Sequence, residues 1–184
     1  MTRSTLVIPG GTGGPMAPLP MYSADAAELR GATVHHHWWT QVTPGSAGRD
    51  LASALERADA DLGPLFEEHG PARPLVIAKS LGSSAAPYAA KWGLPAIWLT
   101  PILTHESVVA GLRAATAPFL LVGGTADGLW DGELARSLTP HVFEVDGANH
   151  GMYVDGPLQA SLAVLGDVVA AVEAFIDAHV WPVA

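Results

Sequence analysis

Apolar residues in this chain gather in short runs of a buried-strand type, separated by longer stretches in which they recur at helical spacing. Thr5-Leu6-Val7-Ile8, Leu75-Val76-Ile77-Ala78, Ala96-Ile97-Trp98-Leu99 and Phe119-Leu120-Leu121-Val122 are such runs. The pattern predicts strands near residues 4–8, 32–37, 74–78, 95–99, 118–122 and 141–145. Between them Leu51, Leu55, Ala58, Leu62 and Leu65 fall on one helix face, as do Leu158, Leu162, Leu165, Val169, Val172 and Ile176. Alternating strands and helices call for a mostly parallel sheet covered on both faces, an α/β three-layer α/β/α sandwich of about six strands. The second helical set steps by four and three, which also suits pairing with a second copy; packing onto its own sheet is the expected use.

No internal repeat or long linker interrupts this order, and Thr43-Pro44-Gly45-Ser46-Ala47-Gly48 is the longest irregular stretch. With 184 residues and 49% hydrophobic content, the chain is expected to form a single domain over 1–184. A chain of that size buries roughly 70% of its unfolded surface. Only about nineteen residues separate Leu99 from Phe119, so no separate lid or cap domain is expected and the site should be open.

Charge and cysteine content narrow the partners. A net charge of −9 with only nine Lys and Arg residues argues against nucleic acid, whose binding rests on clustered cations. The absence of cysteine excludes disulfides, thiolate metal sites and a cysteine nucleophile. The N-terminus does not read as a secretory signal and no run reads as long enough to span a bilayer, so a cytoplasmic protein without membrane contact is expected.

Candidate chemistry sits at the ends of the strand runs. Ala78-Lys79-Ser80-Leu81-Gly82 places one serine between a strand and a small-residue helix start, matching G-x-S-x-G except for Ala78. Small residues are needed there because such a serine is held at strained φ/ψ where backbones pass closely. A second strand ends in Gly123-Gly124-Thr125-Ala126-Asp127, and a third runs into Asp146-Gly147-Ala148-Asn149-His150. Serine, aspartate and histidine thus follow three separate strands, in the chain order Ser, Asp, His. The first strand enters the glycine-rich Pro9-Gly10-Gly11-Thr12-Gly13-Gly14-Pro15. This loop fails G-x-G-x-x-G at Met16 and lacks the lysine of the P-loop, so no nucleotide or other cofactor is expected.

On these residues the chain resembles the α/β-hydrolase superfamily, in particular its small lid-less bacterial members with an A/G-K-S-L-G elbow. The resemblance implies a reduced α/β-hydrolase fold lacking the first antiparallel hairpin. It also implies Ser80 as nucleophile, Asp127 as acid and His150 as base, with the backbone N–H of Leu81 as one oxyanion donor. Gly11 or Thr12 would supply the other from the loop after the first strand. Pro9 stands where many members carry histidine.

Several residues compete for roles. Asp131 lies one turn beyond Asp127 but reads better as the start of a short helix through Glu133 to Ser137, and the acid should sit near the strand end. Glu106, after the strand at 95–99, is a further acid candidate. Lys79 adjoins the serine, but neighbours on a tight elbow diverge, which favours a pairing or packing use. Of His35, His36 and His37, only the first and third share a strand face and no carboxylate partner is spaced to join them, so no metal site is expected. Trp38, Trp39 and Trp130 fall in loops at the carboxyl edge, where an apolar acyl or aryl surface would lie. Trp92 and Trp98 read as core.

The leading functional expectation is a serine hydrolase for a small or medium acyl ester or thioester. The alternatives are a non-hydrolytic enzyme on the same scaffold, catalysing elimination, cyclisation or acyl transfer, and a catalytically silent small-molecule-binding protein.

Overall fold

The computed structural model describes residues 2–12 and 14–182. Six strands form one parallel sheet in the order β2-β1-β3-β4-β5-β6: β1 (Ser4–Ile8), β2 (Thr33–His36), β3 (Leu75–Lys79), β4 (Ala96–Leu99), β5 (Phe119–Gly124) and β6 (Val142–Val145). Every strand run expected from the sequence is present. The helices are α1 (Pro18–Glu28), α2 (Leu51–His69), α3 (Ala86–Trp92), α4 (Glu106–Ala114), α5 (Gly132–Leu138) and α6 (Leu158–Phe175), the last running on through a π-helical turn, Ile176–Val180.

Side-chain alternation along each strand builds two cores. Leu6, Ile8, Val76, Ala78, Ala96, Trp98 and Leu121 face one layer, where Leu62 and Phe66 of α2 and Leu112 of α4 cover them. Val7, Leu75, Ile77, Ile97, Leu99, Leu120 and Val122 face the other, covered by Ala24 and Ala27 of α1 and by Val168, Val172 and Phe175 of α6. Burial on both faces is why these runs are continuously apolar. Trp98 is core as expected, and Trp92 is half-buried against the same layer.

One expectation is corrected. The helix Leu158–Val180 is long and apolar enough to cross a membrane by length and composition, whereas the sequence alone suggested no such run. Its apolar content has a local use, because Val168, Val172, Phe175 and Ile176 pack on the sheet. Arg30, in the turn after α1, grips its far end through Glu173 and Asp177. These contacts fit a sheet-covering helix.

The strand order reverses at β1 and β3, since β1 leads outward to β2 while β3 leads to β4 on the other side. Loops at the carboxyl ends of two such strands diverge and leave a crevice, the usual ligand position in open α/β sheets. The glycine-rich loop and Ser80 leave the sheet at this crevice, although Gly13 lies outside the described residues.

Candidate active site

Ser80 follows β3 at φ +50, a left-handed conformation rarely adopted by a side-chain-bearing residue. Strain of this kind costs about 1–3 kcal/mol and persists only where surrounding contacts enforce it. Gly82 is part of that enforcement. A Cβ there would lie 2.6 Å from the Ile8 carbonyl oxygen, so only glycine lets the turn pass so close to the end of β1. Ser83, fully buried, accepts the Ile102 N–H at 3.0 Å and ties the turn to the loop after β4.

His150 bridges the other two residues. Its Nε2 lies 2.7 Å from Ser80 Oγ and its Nδ1 lies 2.7 Å from Asp127 Oδ2. The Asp127 side chain is 2% exposed, while that of His150 is 37% exposed and open to the pocket. Burial pushes the Asp127 carboxyl up. The His150 hydrogen bond, the Leu129 N–H and the charges of His150 and Lys79 outweigh this and hold it below the usual carboxylate range. An ionised, buried carboxylate facing Nδ1 fixes the tautomer that leaves Nε2 free to accept a proton from serine.

The two loops carrying acid and base are fastened to each other. Thr125 Oγ1 donates to Asp146 Oδ1 and accepts from the Gly147 N–H, both at 2.8 Å. The Ala126 N–H donates to the Ala148 carbonyl at 3.0 Å. Gly124 permits this approach, since a Cβ there would collide with Ala148. Beyond the base, Asn149 Oδ1 accepts the N–H groups of Gly151 and Tyr153, closing a tight turn around Met152 at φ +61.

A pocket of about 400 Å³ opens over the serine, lined by Gly10, Gly11, Thr12, Ser80, Leu81 and His150 among others. The residues expected as nucleophile, base and oxyanion donors therefore meet at one cavity. Asp127 stands behind His150. Among the described residues, no carbonyl or side chain accepts the N–H of Leu81 or Gly11, which leaves both donors available to a ligand oxygen.

The tryptophans expected at the substrate surface do not line this pocket. Trp38 and Trp39 border an adjoining groove on the other side of the glycine-rich loop, with Pro9, Val42 and Pro44, and this groove shares Gly10, Gly11, Thr12 and Gly14 with the serine pocket. Trp39 also donates its indole N–H to the Gly10 carbonyl at 3.2 Å. Trp130 packs over Gly123 and donates to Glu144 at 2.7 Å. An indole N–H needs an acceptor when buried, and in the last two cases the acceptor fixes the ring outside the lining of the serine pocket. Asp131 caps α5 by accepting the Leu134 N–H at 2.9 Å, and Glu106 begins α4. His35 to His37 belong to no cluster able to hold a metal among the described residues.

Lys79 does more than the sequence suggested. Its Nζ donates to Thr100 Oγ1 at 3.2 Å and to the His150 carbonyl at 3.3 Å. Thr100 is fully buried at φ +44, so a second strained residue holds this amine in place. Burial lowers the Lys79 pKa to about 8 against the opposing pull of Asp127. No sequence signal marked this contact, because it joins residues 71 positions apart through a main-chain carbonyl.

No protein-family model and no curated protein matches the chain. Solved structures do. A protein from Xanthomonas campestris pv. campestris assigned to the α/β hydrolase superfamily superposes with a TM-score of 0.72 at 19% identity, covering 95% of this chain and 98% of its own. A lid-less α/β serine hydrolase from Xanthomonas campestris gives 0.57 at 12% identity, covering 95% and 84%. The Est1E protein of Butyrivibrio proteoclasticus, solved with ferulic acid bound, gives 0.63 at 15% identity, covering 95% and 88%. The chain has the α/β-hydrolase fold, reduced to six parallel strands.

Proposed function

On this α/β-hydrolase fold, we propose a serine hydrolase that cleaves carboxylic esters or thioesters through an acyl-enzyme on Ser80. The observation that carries the reading is the unbroken hydrogen-bond chain from Ser80 Oγ through His150 to Asp127, with 2.7 Å at each step. Structural relatives that include an esterase from Pyrococcus furiosus and a dienelactone hydrolase from Anabaena variabilis support the same class.

The chemistry follows from the roles. His150 Nε2 takes the Ser80 proton as Oγ attacks the carbonyl carbon, and Asp127 stabilises the imidazolium that forms. Negative charge on the carbonyl oxygen is met by the N–H of Leu81 and by that of Gly11 or Thr12, each worth about 3 kcal/mol of transition-state stabilisation. The imidazolium then protonates the leaving alcohol or thiol as the carbonyl bond to it breaks. Water, deprotonated by the same histidine, attacks the acyl-enzyme and releases the acid.

The test uses p-nitrophenyl acetate and the matching acetyl thioester. Wild type should release product with Ser80→Ala falling to the buffer rate. Equal rates in the two proteins would remove the reading.

A further inference from the structure

A second cavity, of about 200 Å³, adjoins the serine pocket. Ala17 and Lys79 line both, so the two share a wall. The rest of the second cavity comes from the start of α1, the loop directly after His150, and the first turns of α6. Its lining is largely carbon. Ser161, the hydroxyl in the wall, is already engaged with the backbone of Val154.

Three large apolar side chains at this cavity remain in water: Leu158 at 64%, Leu162 at 58% and Tyr153 at 54% exposure. Leu158 and Leu162 stand four apart on α6, hence side by side on one helix face. Neither belongs to the core that α6 makes with the sheet. The walls are nevertheless fixed, by Asn149, whose side chain holds the loop after His150, and by Ser161 on α6. A preformed apolar concavity beside a reactive serine is suited to ligand rather than to folding.

Its direction from the serine identifies the part of the ligand. The carbonyl oxygen of a bound ester faces the N–H groups of Leu81 and the glycine-rich loop. The leaving group faces His150, because Nε2 must protonate it. The residues that follow His150, Gly151 to Tyr153, are those that wall the apolar cavity.

We infer that this cavity is the leaving-group subsite and takes an apolar alcohol or thiol the size of a phenyl ring or a short alkyl chain. The size follows from the volume, somewhat above the roughly 150 Å³ of an apolar cavity that holds benzene. The inference rests on the hydrolase reading. As Ser80 Oγ bonds to the carbonyl carbon, the carbon–oxygen or carbon–sulfur bond breaks with its electron pair on the leaving atom. That atom takes from His150 the proton which Ser80 gave up, and the neutral alcohol or thiol departs along the α6 wall.

The experiment compares methyl, butyl and hexyl acetates with methyl acetate, butanoate and hexanoate, in wild type, Leu158→Glu and Leu162→Glu. Both substitutions lie on the exposed helix face, away from the reacting groups. In wild type, kcat/KM should rise about fourfold per methylene along the alcohol series until the cavity is full. Each variant should lose at least about tenfold on hexyl acetate, the equivalent of two buried methylenes, while methyl acetate and the acyl series stay within about twofold. A flat alcohol series, or variants that leave hexyl acetate unchanged, would overturn the subsite while leaving the hydrolase intact. Methyl-resolved NMR of Ser80→Ala with hexan-1-ol separates the two claims. Shifts at Leu158 and Leu162 in a protein whose wild type hydrolyses nothing would keep the cavity as an apolar-alcohol site and remove the reaction. A wild-type dimer that Leu162→Glu dissociates, with unchanged kinetics, would assign the face to a second copy instead.

Discussion

The two edge strands of the sheet, β2 and β6, both lead to histidine, and only one of the two regions organises it. Along β2 and just past it, His35, His36 and His37 follow one another; His35 stacks on His69 with ring centroids 4.7 Å apart. His37 Nε2 is buried 4.0 Å from the nearest Asp61 oxygen, too far for a hydrogen bond. Burial pushes its imidazole below the usual range, with Asp61 pulling the other way. The Asp61 carboxylate instead serves the N–H groups of Thr40 and Gln41. After β6, the single His150 has a partner on each ring nitrogen. What distinguishes the two regions is the supply of loops. From the loop after β6, itself an edge strand, His150 reaches back to side chains that follow β5 and β3, whereas His35 and His37 face α2 and the loop after β2. Partner geometry, not the number of histidines, makes an imidazole chemically useful.

The sharpest way to break this contrast is to exchange the histidines' fates by mutation. His150→Ala and Ser80→Ala should each lower kcat by about 10⁴–10⁶, and the double variant should be little worse, because the groups act as a unit. His35→Ala and His37→Ala should leave ester turnover within about threefold. A large loss from either edge histidine would mean the site extends to β2.

The two aspartates of the β5 loop repeat the contrast four residues apart. Asp127→Asn should cost about 10⁴ in kcat, since an amide reverses the tautomer that Nδ1 requires. Asp131→Ala should leave kcat unchanged and lower stability by about 1 kcal/mol, the value of a lost helix cap, as read by urea denaturation.

Lys79 sharpens the comparison from the other side of Ser80. Its folded pKa of about 8 lies below the 10.5 of an ordinary lysine in water. Between those values the unfolded chain binds more protons than the folded one, so this residue makes stability rise with pH from about 8 to about 10.5, by up to about 3 kcal/mol. Below pH 8 both states carry the proton and the full cost of burying it persists. Lys79→Met should flatten that rise and be no less stable at pH 7, because an apolar side chain avoids the burial cost. It should still lower kcat about tenfold by releasing the His150 carbonyl. Denaturation curves at pH 7, 8.5 and 10 beside kinetics decide this. The smallest effect expected on the turn itself is Gly82→Ala, about 1–3 kcal/mol of destabilisation from overpacking against Ile8.

The sheet was legible because strands buried on both faces leave unbroken apolar runs such as Leu75 to Ala78 and Phe119 to Val122. The expected positions of Ser80 and Asp127 were legible because each lies just past such a run, and that of His150 because it follows the shorter Val142–Val145 run, where a change to glycine and polar residues marks the carboxyl edge. Helix α1 was not individually placed. Its face is made of small residues and it opens on Pro18 and Pro20, so it carries little periodic contrast. The last two residues of β5 read as loop, because glycine hides a strand that needs room for Trp130 and Ala148. Tryptophan positions were read from loop membership, but ring direction is set by acceptors such as Gly10 and Glu144 that sequence does not reveal. The Lys79 contact and the apolar cavity beside it depend on which loops fold back, a property of the tertiary arrangement alone.

The central claim is that His150, held by Asp127, activates Ser80. Labelling the folded protein with a fluorophosphonate and mapping the modified peptide by mass spectrometry tests it most directly. The account predicts one adduct, on Ser80, formed at least about 10³ times more slowly in His150→Ala and absent in Ser80→Ala. An unlabelled Ser80 in folded wild type, or labelling equally fast without His150, would contradict it.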